Sequence, residues 1–254
     1  MPLKLRLKLT LSEEIDTSTL TPDRVHGLFF SLVGEELAEI LHERYKNVKP
    51  FSLFCRELFE PQRVKTLNIE VNLLEDSLIP RVVSSFVLNR KKAYLNIDSK
   101  HIGVKANFKI PNKWLKPYSS LIKVEEIPPK VRLKFLSPTT FRRHKVDLPF
   151  PLPELLFKSL VKRWIIFSNI PIEVDLRSHY DQIEVEKYNL KTQKVEFSNG
   201  GKLTTFVGDL VYNLSKVEDK KALKWFYILL NFSNWSGVGR KTTMGLGKVH
   251  LAKA

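Results

Sequence analysis

Apolar and polar residues alternate strictly through Leu3-Lys4-Leu5-Arg6-Leu7-Lys8-Leu9-Thr10-Leu11, the period of a half-buried strand with a basic outer face. From Thr21 the period lengthens to that of a helix. Val25, Leu28, Phe29, Leu32, Val33, Leu37, Ile40 and Leu41 mark its apolar set, with Thr21 as N-cap, Pro22 at the first helical position and an end expected near Arg44. Strand-like runs follow at 51–55 and 66–74, then an amphipathic helix over 79–89 and strands over 93–97 and 103–110. A bridge containing prolines, 116–129, interrupts the series. The second series predicts a strand at 131–135, a helix over 153–167, strands over 183–197 and 202–212, a helix over 219–234 and a last strand at 248–251.

Each series has the order β-α-β-β-α-β, the first with extra hairpin material. The simplest account is an α+β chain of two tandem ferredoxin-like (RRM-like) domains, 1–116 and 130–254, joined by a linker at 117–129. No repeat is visible residue by residue, so the duplication rests on element order; one larger α+β domain is the alternative.

Composition sharpens the choice of partner. The 254 residues carry 42 Lys plus Arg against 27 Asp plus Glu, a formal charge of +15, and the sequence pI is about 9.8. Nucleic acid is the leading polyanionic partner, with an acidic membrane or acidic protein as competitor. The single cysteine, Cys55, has no partner for an internal disulfide and lies in an apolar run, as expected of a buried residue in a cytoplasmic protein. No apolar run approaches the ~20 residues of a membrane span, and no export segment is expected.

Near the C-terminus, Ser236-Gly237-Val238-Gly239-Arg240-Lys241-Thr242-Thr243-Met244-Gly245-Leu246-Gly247-Lys248-Val249 sets two Gly-apolar-Gly pairs around a basic insert. Glycines at 237, 239, 245 and 247 let a phosphate backbone approach main-chain amides, while Arg240, Lys241 and Lys248 supply charge. It is neither a Walker loop nor a dinucleotide fingerprint, since Thr242 stands both at the glycine position five residues before Gly247 and at the third glycine position after Gly237-Val238-Gly239. The competing reading is a glycine-rich hairpin turn. Phe141-Arg142-Arg143-His144-Lys145 is a second basic cluster. Its arginines suit phosphate contacts and its phenylalanine suits base stacking; a solvated loop is the plain alternative. Arg163 reads as a solubility charge or a peripheral RNA contact.

The six histidines, at 26, 42, 101, 144, 179 and 250, have no ligand-like spacing, so neither a metal nor any other cofactor is expected. RNA can be cut without one, because its 2′-hydroxyl is a built-in nucleophile that needs only a base, and imidazole suits that role at neutral pH. On one continuous helix His26 flanks the apolar face and His42 falls on the opposite side in the last turn, so both remain open as bases.

The glycine loop, Leu41-His42-Glu43 followed by Lys49-Pro50-Phe51-Ser52-Leu53-Phe54, and Phe135-Leu136-Ser137-Pro138-Thr139-Thr140-Phe141-Arg142 occur in an order that resembles the CRISPR-associated endoribonucleases that mature crRNA. These are the sixth-numbered Cas proteins of the RAMP superfamily. The resemblance implies two ferredoxin-like domains facing across a cleft and metal-independent cleavage of CRISPR precursor RNA within its repeats, leaving a 2′,3′-cyclic phosphate and a 5′-hydroxyl. It implies His42 as general base and Lys49, with Lys46 as a substitute, stabilising charge on the phosphate; His26 is the alternative base. The position matching one homologue's tyrosine is Phe30, which has no proton to give, so the leaving oxygen must be protonated by Lys49, Lys46, another group or water.

The implied partners are CRISPR repeat RNA (pre-crRNA) and other Cas proteins of an effector complex, with the protein a monomer or homodimer and no membrane involved. Two rivals stand beside this reading: a repeat-RNA-holding RAMP subunit without cleavage, and a basic adaptor for acidic protein or membrane surfaces.

Overall fold

The structure is a computed structural model that describes residues 2–43, 45, 47–88, 93–109 and 115–253. The chain forms two compact units of mixed α+β structure. The first comprises Met1–Leu115 with Glu196–Gly201 and Thr243–Gly245; the second comprises Lys116–Val195, Lys202–Thr242 and Leu246–Ala254.

In the first unit the elements are β1 (Leu3–Asp16), α1 (Pro22–Val33), α2 (Glu35–Glu43), β2 (Phe51–Cys55), β3 (Arg63–Leu73), α3 (Leu78–Leu88), β4 (Ala93–Ile97) and β5 (Lys100–Lys109). The strands form one sheet in the order β2-β3-β1-β5-β4. The alternation in β1 has its expected effect: Leu3, Leu5, Leu7, Leu9 and Leu11 are buried, while Arg6, Lys8 and Thr10 are exposed. Antiparallel registers Leu5↔Val71 and Leu7↔Phe108 place β1 between β3 and β5.

The single helix expected from Thr21 is two. Gly34, with φ of 87°, closes α1 by donating its N–H to the Phe30 carbonyl, and its own carbonyl accepts from Ala38 to open α2. Positive φ is strained for residues with a Cβ, so this bend suits glycine. Glu35 and Glu36 in the first turn of α2 complement its N-terminal dipole. Thr21 occupies the N-cap position of α1 without a side-chain cap bond. The expected end at Arg44 lies outside the described residues.

The second unit runs α4 (Tyr118–Leu121), β6 (Lys130–Thr139), β7 (Phe141–Arg143), β8 (Val146–Leu148), α5 (Pro153–Phe167), β9 (Glu184–Glu196), β10 (Lys202–Asn213), α6 (Lys220–Ser236) and β11 (Val249–Lys253). Its main sheet has the order β11-β6-β10-β9, consistent with a ferredoxin-like architecture. Helices α5 and α6 meet through large side chains: Phe157 lies 4.7 Å from Phe226, and Trp164 5.3 Å from Phe232. The small hairpin of β7 and β8 has no counterpart in the sequence pattern. It buries Phe141, which lies 6.3 Å from Phe206, so that ring packs in the core and is not presented for base stacking.

Candidate functional site

Breaking the helix at Gly34 decides where the histidines stand. In a continuous helix His26 and His42 would be about 24 Å apart along the axis and about 160° apart around it. In the structure their ring centroids are 6.5 Å apart. Phe30 lies between them, 4.6 Å from each, stacked on His42 and edge-on to His26. The expectation that His42 points away from the face bearing His26 is corrected by the bend.

Each ring is held differently. His26 is half-buried, lies 6.3 Å from Phe51 with planes nearly parallel, and has Nδ1 2.7 Å from the Thr243 carbonyl oxygen. A carbonyl can only accept, so Nδ1 carries hydrogen, and the neutral ring has its lone pair at Nε2. Thr243 belongs to the same unit as His26. His42 is exposed in the last turn of α2.

Lys49 is tied to that turn. Its Nζ donates to the Leu41 carbonyl at 2.7 Å and lies 3.4 Å from the His42 carbonyl, a cationic cap on the negative end of α2. Partial burial lowers its pKa from the ordinary 10.5. Lys46 lies outside the described residues.

All four glycines of the loop have positive φ, as does Lys241. Three of them are demanded by the protein's own backbone. A Cβ on Gly237 would lie 2.9 Å from the Gly247 carbonyl oxygen, one on Gly239 2.3 Å from that of Thr140, and one on Gly247 2.0 Å from that of Val238. The amides turn inward as well. Gly237 donates to Ser233 O at 3.0 Å, Gly239 to Ser159 Oγ at 3.0 Å, Arg240 to Thr140 O at 3.0 Å, Gly247 to Pro138 O at 3.0 Å and Lys248 to Ser137 Oγ at 2.9 Å. These hydrogens are committed to the fold. Gly245, buried with the first unit, would bring a Cβ within 3.3 Å of Leu58.

The cations divide by environment. Lys248 is 8% exposed, with Nζ donating to Asn234 O at 3.1 Å. Arg240 and Arg142 both donate to Asp147 Oδ1, Arg142 at 3.3 Å. Arg143 is exposed on β7, and Lys241 is half-exposed. Arg163 is not a free surface charge: it donates from α5 to Gly239 O at 3.0 Å and Thr242 Oγ1 at 3.3 Å.

The Thr243 carbonyl and Asp147 carry no mark in the sequence pattern, and Arg163, which reads there as a solubility charge or a peripheral RNA contact, is instead engaged by the loop. A main-chain carbonyl leaves no residue-type signal, whereas Gly34 followed by two glutamates was a legible sign of a new helix start. Among the described residues no group of three or more His, Cys, Asp or Glu is placed to hold a metal ion, and no helix is long and apolar enough to cross a membrane.

The sequence model of the family CRISPR-associated endoribonuclease Cas6 matches residues 133–249. The CRISPR-associated endoribonuclease Cas6 of Streptococcus thermophilus is 24% identical over 232 residues, covering 90% of each chain; that of Mycobacterium tuberculosis (strain CDC 1551 / Oshkosh) is 22% identical over 257, covering 96% of this chain and 77% of the relative. Among solved structures, a Cas6 product complex matches with TM-score 0.76 and 26% identity over 100% of both chains. Thermus thermophilus Cas6 matches with TM-score 0.75 and 25% identity over 99% of this chain and 98% of that one. Sequence and fold, agreeing over nearly the whole length, support identification of the chain with the CRISPR-associated endoribonuclease Cas6 proteins of the RAMP superfamily.

Proposed function

We propose that this endoribonuclease cleaves CRISPR precursor RNA within its repeats, without a metal, by attack of the RNA's own 2′-hydroxyl. The carrying observation is the pair of imidazoles 6.5 Å apart. Attack by the 2′-oxygen needs a base at one end of the reaction and an acid at the other, and two imidazoles can supply both. His42 takes the 2′-hydroxyl proton, and the 2′-oxygen forms a bond to phosphorus. The bond from phosphorus to the 5′-oxygen breaks, and protonated His26 gives its Nε2 proton to that oxygen. The products are a 2′,3′-cyclic phosphate and a 5′-hydroxyl. The Thr243 carbonyl, accepting from Nδ1, orients the ring, so the proton that the imidazolium transfers is the one on Nε2. His26 thus takes the role that Phe30 has no group to fill.

Lys49 positions His42 by holding the last turn of α2, and its charge bears on the phosphate beside it. Of the loop and hairpin, Arg142, Arg143, Arg240, Lys241 and Lys248 contact or attract RNA phosphates, while Gly237, Gly239, Gly245 and Gly247 give the loop the shape that presents them. The reading includes tandem ferredoxin-like domains at 1–116 and 130–254 with a linker at 117–129, supported by the two strand orders. Its partners are pre-crRNA and other Cas proteins in the cytoplasm.

The test is single-turnover cleavage of repeat RNA in EDTA, beside a substrate carrying 2′-deoxy at the cut. The natural RNA is cut and the deoxy RNA is bound intact. Cleavage of the deoxy RNA refutes 2′-hydroxyl attack, and binding without any cleavage favours a repeat-holding subunit.

A further inference from the structure

We propose that Arg142 and Arg240 form one subsite for an RNA phosphodiester and that Asp147 competes with the phosphate for it, acting as a brake on RNA binding. This rests on the reading of both arginines as RNA contacts; what is added is that they share one seat and that a carboxylate contests it.

Asp147 is the one acidic residue from Ile127 to Pro153, a stretch that carries six lysines and arginines. Its place in the fold is specific. In the hairpin of β7 and β8 it stands directly across from Arg142, whose Nη1 donates to its Oδ1 at 3.3 Å. Arg240 Nη1 donates to that same oxygen. Arg142 is held further by its Nε, which donates to His144 O at 3.2 Å, and Arg240 by its main-chain N–H, which donates to Thr140 O at 3.0 Å. Thr140 is the residue before β7, so both arginines are anchored on the hairpin and both guanidiniums converge on one oxygen.

Two guanidiniums so arranged recognise an anionic oxygen that can accept twice, and a phosphodiester offers one just as a carboxylate does. The side chains of Arg142, Arg240 and Asp147 are 46%, 34% and 23% exposed, so the seat opens to solvent. Ion pairs at such exposure are weak, which lets a phosphate take over the donors. It does so against the carboxylate. Asp147 cancels one of the two positive charges while it holds the seat, and it repels the phosphate once displaced. Arg143 stands opposite Val146, on the other face of the hairpin, and serves as a control.

The experiment measures affinity across a salt series for repeat RNA carrying 2′-deoxy at the cut. Wild type is compared with Asp147→Asn, Arg142→Ala, Arg240→Ala and the double arginine variant, and Asp147→Asn is repeated in the double-variant and Arg143→Ala backgrounds. Asp147→Asn is expected to bind about two- to fivefold tighter at low salt and to steepen the log-log slope by up to about 0.7. The double arginine variant should be little weaker than the worse single one, because the two share a phosphate. Asp147→Asn should have no effect in that double background and keep its full effect beside Arg143→Ala. Unchanged or weaker binding by Asp147→Asn overturns the brake, since the carboxylate then only braces the arginines. A gain that survives loss of both arginines overturns it too, as a general effect of charge. Should Asp147→Asn fail to fold, Asp147→Ala is judged by the same outcomes. A double arginine variant with wild-type affinity and slope defeats the reading of these arginines as RNA contacts, and the brake with it; weakened arginine variants beside a neutral Asp147→Asn defeat the brake alone.

Discussion

His26 and His42 stand with ring planes at 89° and centroids 6.5 Å apart, and Phe30 is in contact distance of both. The two rings come from different helices, so their spacing depends on the turn between those helices as much as on the residues themselves.

His42→Ala and His26→Ala are each expected to slow cleavage by about 10²- to 10⁴-fold with little change in RNA affinity. The double variant should be little slower than the worse single one, because groups that act as a unit are not additive. Single-turnover rates at saturating enzyme give the comparison; a His26→Ala enzyme within a few-fold of wild type removes His26 from the acid role.

Gly34→Ala keeps every side chain of the site and strains the bend, costing about 1–2 kcal/mol at a left-handed position. Its cleavage rate should fall by roughly 10²-fold through misplacement of His42 while repeat RNA still binds. Thermal melting and single-turnover cleavage separate the two effects; an unchanged rate would show that the histidine spacing tolerates a different turn.

Much of this arrangement was legible in sequence. Period two in β1 and the apolar set of α1 located the core correctly, because burial of a leucine is a local consequence of its spacing. The bend was hidden by the same signal: Leu37 and Leu41 are buried in α2 as they would be on a longer α1, so periodicity ran through Gly34 unbroken. The glycine loop was recognisable as special, but the reason inferred was access for a ligand. Gly239 and Gly247 instead meet carbonyl oxygens of their own chain, and contacts between distant segments have no trace in local pattern. Arg163 was misjudged for a similar cause, since a charge on a helix looks solvated until the loop that covers it is placed.

Gly247→Val forces a Cβ into the Val238 carbonyl and should destabilise the fold by about 3 kcal/mol, lowering Tm by on the order of 10 °C. Arg143→Ala and Lys241→Ala should leave Tm near wild type and reduce the log-log salt slope of RNA binding by about 0.7 for each phosphate no longer neutralised. Calorimetry and affinity across a salt series distinguish a shape residue from a charge residue; unchanged slopes in both charge variants would remove them from the RNA interface.

Asp219 caps α6, accepting N–H bonds from Ala222 at 2.9 Å and Lys221 at 2.7 Å, which hold its pKa below the ordinary 3.8. A depressed carboxylate pKa stabilises the fold above the unfolded value, and that contribution is lost as pH falls through the folded one. Asp219→Ala should therefore melt earlier than wild type at neutral pH, with the gap closing in acid below 3.8. Melting curves over a pH series check it; a gap that persists at the acid end would assign the loss to packing and not to the charge.

The central place of β1 has a consequence for the order of events during synthesis. Made before both of its partners, β1 pairs with Arg63–Leu73 on one side and Lys100–Lys109 on the other. Its apolar face must wait for partners made much later, and such distant pairing is slow because chain entropy is surrendered before the strands meet. Leu3, Leu5, Leu7, Leu9 and Leu11 remain uncovered in the nascent chain over that interval. The lysines and arginine between them then act as gatekeepers, keeping an orphan strand from pairing with another copy until its own neighbours arrive.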